Sequence, residues 1–189
     1  MKKLPFILLA FLFYQIPAPP DAFAVTPDIT GPEIKIINND IIVMTSISDV
    51  SDIEKTIKSG VGKELIFTAE LMRVYDFWPD EFVVSKKIRK VIKYDNLREQ
   101  YTASTRDGIN RVDRKFTDYN KMKDWIFSVN SINLANIKEL EPGSYYIRLV
   151  VESRSREKLP LIGFVMYLLP EIEMSLAKES EPFSIGINK

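Results

Sequence analysis

The chain contains no cysteine and no histidine in 189 residues. Without thiols there is no disulfide and no thiolate nucleophile. Without imidazoles there is no Ser-His-Asp triad, no histidine haem ligand and none of the usual zinc ligand sets. Most hydrolase and redox chemistries are thereby excluded, no cofactor is implied, and stability has to come from an apolar core. An excess of one charge is missing too: 26 Lys and Arg stand against 26 Asp and Glu. No net field draws in a polyanion, and nucleic acid is not an expected partner. A phosphate loop is also absent. "SGVGKEL" carries Gly60, Gly62 and Lys63, but Ile57 stands where the motif needs its first glycine and Glu64 where it needs Ser or Thr. A helix C-cap followed by a turn explains both glycines.

What is present begins with "MKKLPFILLAFLFYQIPAPPDAFAV". Lys2 and Lys3, an apolar run of 13 residues from Leu4 to Ile16, and Ala22-Phe23-Ala24 are the three parts of a secretory signal, with cleavage expected after Ala24. A helix crossing the bilayer needs about 20 apolar residues, so the run reads as a removed signal (1–24) and not as an anchor. The expected destination is the periplasm or the extracellular medium. Removal takes away Lys2, Lys3 and Asp21, leaving residues 25–189 as one β-rich domain with a net charge of about −1.

Within that domain, "EIKIINNDIIVMTSIS" reads as a hairpin turning at Asn38-Asn39-Asp40. Ser51 and Glu54 form a capping box for a short helix to Ser59 that buries Ile53 and Ile57, with Gly60 as its stop. "KELIFTAELMRVY" alternates Leu65, Phe67, Ala69 and Leu71 against Thr68 and Glu70, the period of a half-buried strand. "EFVVSKKIRKVIKY" places Phe82, Val84, Ile88, Ile92 and Tyr94 on one face. Asp95-Asn96 and Asp107-Gly108 mark turns around the strand "LREQYTAST". "TDYNKMKDWIFSVN" is the clearest helix, with Met122, Trp125, Ile126 and Val129 on one stripe and Thr117 as N-cap. After Pro142-Gly143 comes a strand with Tyr145, Ile147, Leu149 and Val151 on one face, and Ile172, Met174 and Leu176 alternate near the end. About seven strands with two short helices imply a mainly β fold, an antiparallel β-sandwich of immunoglobulin-like or related type.

Three stretches invite a functional reading. In "RVYDFWPDEFVV", Asp76, Asp80 and Glu81 sit beside Trp78. This combination suits a carboxylate hydrolase in which paired acids flank a sugar and an aromatic stacks on it. The architectural reading is a corner between strands: Pro79 sets the bend, Trp78 covers the core edge, and Asp76 and Asp80 hold the turn. "SKKIRK" invites a polyanion site, but its charges fall on both sides of a strand, as lysines guarding a solvated edge do. "RSREKLPLIGFVMYLLP" packs nine large apolar residues into positions 159–170 behind a basic lead. A helix of that length is about 18 Å, too short to span, but Leu161, Phe164 and Leu168 suit a membrane surface or a partner in the membrane; otherwise the block is buried core. Tyr101, Tyr145 and Tyr146 line a groove or, at strand spacing, the core.

The succession "GVGKELIFTAELMRVYDFWPDEFVV", "IKYDNLREQYTAS" and "LEPGSYYIRLVVES" resembles the exported bacterial family catalogued as domain of unknown function 4390. The shared motifs fall on Trp78 and Asp80, on Tyr94, Leu97 and Tyr101, and on Leu140, Pro142, Gly143 and Tyr146. Phe77-Trp78-Pro79 departs from the Trp-rich pattern of many members, and the apolar block is stronger than usual. The family brings no catalytic residues. The resemblance implies an accessory role in the envelope beside a membrane protein such as a sensor kinase. The sequence thus leads to a non-catalytic binding protein with Trp78, Asp80, Leu161, Phe164 and Leu168 as candidate binding residues. The alternatives are membrane-surface contact through 159–170 and a hydrolase using Asp76, Asp80 or Glu81.

Overall fold

Asn38 and Asn39 both take positive φ, 52° and 70°, the geometry of a two-residue hairpin loop whose twist matches its strands. They join β1 (Ile29–Ile37) to β2 (Asp40–Ile47) in a computed structural model that describes residues 27–48, 53–156 and 172–186. Helix α1 (Ile53–Lys58) buries Ile53 and Ile57 and stops at Gly60, where φ is 96°. Ser51, the expected cap, lies outside the described residues, as do residues 1–24 and 159–170 with Leu161, Phe164 and Leu168.

Two long strands follow the predicted alternation. In β3 (Gly62–Arg73) Leu65, Phe67, Ala69 and Leu71 are buried, and in β8 (Gly143–Arg156) so are Tyr145, Ile147, Leu149 and Val151. The two strands pair directly, Phe67 opposite Val151 and Leu71 opposite Ile147. One continuous apolar face results, each fully buried large side chain contributing about 1.5–3 kcal/mol. β3 is more than half-buried, however: Ile66 and Met72 on its other face are also covered, because β3 runs through the middle of the sheet between β8 and β4 (Glu81–Asp95).

Beyond β4 the sheet continues through β5 (Gln100–Arg106) and β6 (Arg111–Phe116). On the far side of β8, β9 (Ile172–Glu179) and β10 (Phe183–Ile185) pair with successive parts of the same edge. Between them, Ser180 donates its backbone N–H to the Ile147 carbonyl, and its hydroxyl accepts from the Ile147 N–H. β7 (Ser128–Asn136) joins β1 and β2 in a second, three-stranded antiparallel sheet. The two sheets form a β-sandwich, with β7 against β3 and β4 and β1 against β8 and β9. Ile29, Ile41, Val43, Ile132 and Leu134 close the core from the smaller sheet.

Four local expectations are corrected. The second helix, α2, spans Tyr119–Phe127 and is capped by the Asp118 carboxylate, which accepts from the Lys121 N–H at 2.8 Å, and not by Thr117. Val129 belongs to β7, so the helical stripe ends at Ile126. There are ten strands among the described residues against about seven expected; β6, β7 and β10 are the additions. Phe82 does not share the face of Val84. A bulge sets Val84 opposite Leu71 but Phe82 opposite Met72, and the extra residue, Val83, turns Phe82 to the outer side.

Candidate functional site

The loop between β3 and β4, Val74 to Asp80, is tied down at its base and bare at its apex. Val74 donates its N–H to the Ser144 carbonyl at 2.9 Å, continuing the β3–β8 ladder by one residue. Arg73 reaches across to Glu141 at 2.5 Å and to the Pro142 carbonyl at 3.2 Å, and its guanidinium lies 5.2 Å from the Tyr75 ring centre. Gly143 packs closely here: a Cβ at that position would come within 3.2 Å of Arg73 Nε. The Tyr75 hydroxyl donates to Glu81 at 2.7 Å. That acceptor, with some burial, holds the phenol above its ordinary pKa. Asp80 accepts from the Tyr75 N–H at 3.4 Å, and its carboxylate lies close enough to the Tyr146 phenol to act on it electrostatically. Burial first, then Glu179 and Asp80, push the Tyr146 phenol upward as well.

Two of the sequence motifs therefore meet: Asp80 of the first lies close to Tyr146 of the third, and Pro142-Gly143 supports the loop base. The second motif lies at the other end of β4. There Tyr94 and Tyr101 sit opposite each other with ring centres 4.8 Å apart, while Leu97 is in the exposed turn. Tyr101 and Tyr145 are core residues and line no groove. The Tyr101 hydroxyl donates to Glu54 at 2.9 Å, binding α1 to β5.

Above this base the corner reading fails on Trp78. Its side chain is 78% exposed and that of Phe77 93%, so neither covers the core edge. Pro79 keeps Trp78 out of helical geometry, and the two aromatics face solvent with Phe82 exposed nearby. Asp80 does hold the turn. No hydrogen bond to the Asp76 carboxylate is found among the described residues. Asp80 and Glu81 are already engaged by Tyr75, and neither of two surface cavities, about 390 and 230 Å³, is lined by any of the three acids. The tip offers contact area, not a walled pocket. Among the described residues no group of three or more acids is placed to hold a metal, and no helix is long and apolar enough to cross a membrane.

Sequence reasoning missed Lys90. It points inward from β4 and is 5% exposed, contrary to the solvated-edge reading of "SKKIRK". Its ammonium donates to the carbonyls of Trp125, at 2.5 Å, and Ser128, which end α2, and it lies 4.8 Å from the Trp125 ring centre. A cation at a helix C-terminus satisfies carbonyls that have no partner in the helix. Burial and, after it, Arg114 bring its pKa down to about 8. It was detectable in principle, because Ile88, Lys90 and Ile92 share one parity.

The chain matches the family described as Domain of unknown function (DUF4390) over residues 32–174, most of its length, and belongs to that family. Neither a curated protein nor a solved structure matches it.

Proposed function

We propose that this DUF4390 member is an exported, non-catalytic binding domain that docks a membrane-associated protein of the envelope through the β3–β4 loop. The observation that carries this reading is the pair Phe77 and Trp78, adjacent, exposed, and raised on a loop whose base is fixed by Arg73 and Asp80. Burying two such rings supplies roughly 3–6 kcal/mol gross between them, the scale of interface hot spots, where Trp is enriched. A rigid base also lowers the ordering cost of binding. Asp76, Asp80 and Glu81 around the rings favour a protein partner over an anionic bilayer, whose headgroups they would repel.

A photo-crosslinking residue at Phe77, introduced in cells with the intact envelope, is expected to capture one discrete membrane protein. Trp78→Ala should remove that product while the protein still accumulates folded. Absence of any discrete product overturns the reading. Membrane-surface contact through 159–170 is the second reading, supported by the sequence of that block. It predicts flotation with liposomes that Phe164→Glu and Leu168→Glu abolish.

A further inference from the structure

The outer face of the larger sheet, away from the sandwich core and from the aromatic tip, gathers charge that the chain's overall neutrality conceals. Strand register sets Arg89 of β4 opposite Arg106 of β5, and Arg106 opposite Arg111 of β6. Four residues along, Lys93, Thr102 and Lys115 form a parallel row, and Val91, Ser104 and Asp113 lie between the two. The rows are about 13 Å apart, and adjacent strands about 4.8 Å. All five cations are exposed and line one open cavity of about 390 Å³.

Acids only partly answer these cations. Arg111 pairs with Asp113 at 2.9 Å and Arg89 with Glu64 at 3.1 Å. Among the described residues no carboxylate pairs with Lys93, Arg106 or Lys115. Like charges directly opposite one another across strands destabilise a sheet, and here three guanidiniums stand in one row. Protection of a sheet edge against pairing explains charges on β6, the terminal strand. It does not explain Arg89, Lys93 or Arg106, which lie on strands paired on both sides. A concave, cation-rich floor with Ser104 and Thr102 hydroxyls between the charges has the chemistry that meets phosphate oxygens, arginine forks giving paired hydrogen bonds and lysines point charge.

We propose that the outer face of β4, β5 and β6 is a binding site for a multiply charged phosphate ligand, held by Arg89, Arg106 and Arg111 at one end and by Lys93 and Lys115 at the other. The phosphates belong to a free phosphorylated molecule or to a lipid headgroup, and two arms of one experiment separate these sources. Calorimetric titration of the purified protein with sodium tripolyphosphate at low salt is expected to show saturable binding that weakens as salt screens the charges. Flotation with phosphatidylglycerol vesicles, against phosphatidylcholine vesicles, reads the headgroup source.

Arg106→Gln combined with Lys115→Gln should weaken whichever interaction is found at least tenfold. Lys87→Gln, on the same face but beyond the cavity, should change it less than twofold. Thermal unfolding supplies a second readout: tripolyphosphate should raise the melting temperature of the parent protein and not of the double variant. The ligand-free double variant should melt no lower than the parent, since repulsion has been relieved. Binding of neither probe, equal binding by the double variant, or an equal loss in Lys87→Gln overturns the proposal.

Discussion

The two tryptophans of this chain occupy opposite situations. Trp125 sits at the end of α2 with Lys90 and Arg114 near its ring, the ammonium at 4.8 Å and the guanidinium at 5.5 Å, and Phe116 at 5.9 Å. Its carbonyl receives the same lysine. Trp78 stands on a loop, with no ring partner among the described residues. The first is spent on joining the helix to the larger sheet. The second contributes nothing comparable to the fold, which leaves its apolar surface available to something outside it. Comparing them teaches that an aromatic residue in a small domain is read by what surrounds its ring, not by its type.

Truncating each tests the comparison at its strong end first. Trp125→Ala should lower unfolding free energy by about 2–3 kcal/mol in a urea titration, because it removes a half-buried indole and the cation contacts on it. A change under about 0.5 kcal/mol would mean that the helix is held by Met122, Ile126 and Phe127 alone.

Lys90 sharpens the same contrast through pH. Its folded pKa of about 8 lies below the ordinary 10.5. Between those values the unfolded chain keeps a proton that the folded chain has shed, so stability rises with pH across the window. The gain is at most about 3 kcal/mol. Tyr75, Tyr101 and Tyr146, whose pKa values are raised in the fold, act oppositely above pH 10. They are common to both proteins, so the difference between parent and Lys90→Met isolates the lysine. That difference should grow in favour of the parent from pH 8 to 10.5; a flat difference would show that the ammonium is solvated. Smaller still is Tyr101→Phe, which deletes the donor to Glu54 while Lys58 continues to pair with that acid at 2.6 Å. About 1 kcal/mol should be lost, read from the same urea titration.

How much of this was legible follows from where each signal is encoded. The turn at Asn38-Asn39 and the buried faces of β3 and β8 could be read because both depend on neighbours in sequence: a tolerance for positive φ, and a period of two. β7 could not, because Val129 continues the spacing of Met122, Trp125 and Ile126 and hides the change from helix to strand. β6, "RVDRKF", carries charge at four of six positions, as an edge strand does, and so lacks the apolar alternation that identifies strands. Phe82 was misplaced by a single-residue bulge, which depends on the β3–β4 register. The site divides in the same way. That the Trp78 loop is a turn and that Asp80 holds it were readable. That its aromatics point outward was not, since long-range pairing sets the direction of the loop. The cationic face escaped for a similar reason, because its rows are assembled from three strands whose alignment no local pattern states.

Trp78→Ala completes the comparison and has the smallest expected effect on the fold. A buried aromatic at a strand corner would lose about 3–5 kcal/mol on truncation. An exposed one should change stability by no more than about 0.5 kcal/mol, because its ring gives up little solvent on folding. The Tyr75–Glu81 and Asp80–Tyr146 contacts below it do not involve the indole, so the loop base should persist and the melting temperature should scarcely move. If instead the variant loses several kcal/mol, the indole is packed in solution and Phe77 and Trp78 have no surface left to offer a partner. An unchanged melting curve together with lost crosslinking assigns the ring to binding alone, since nothing else about the loop has then been altered.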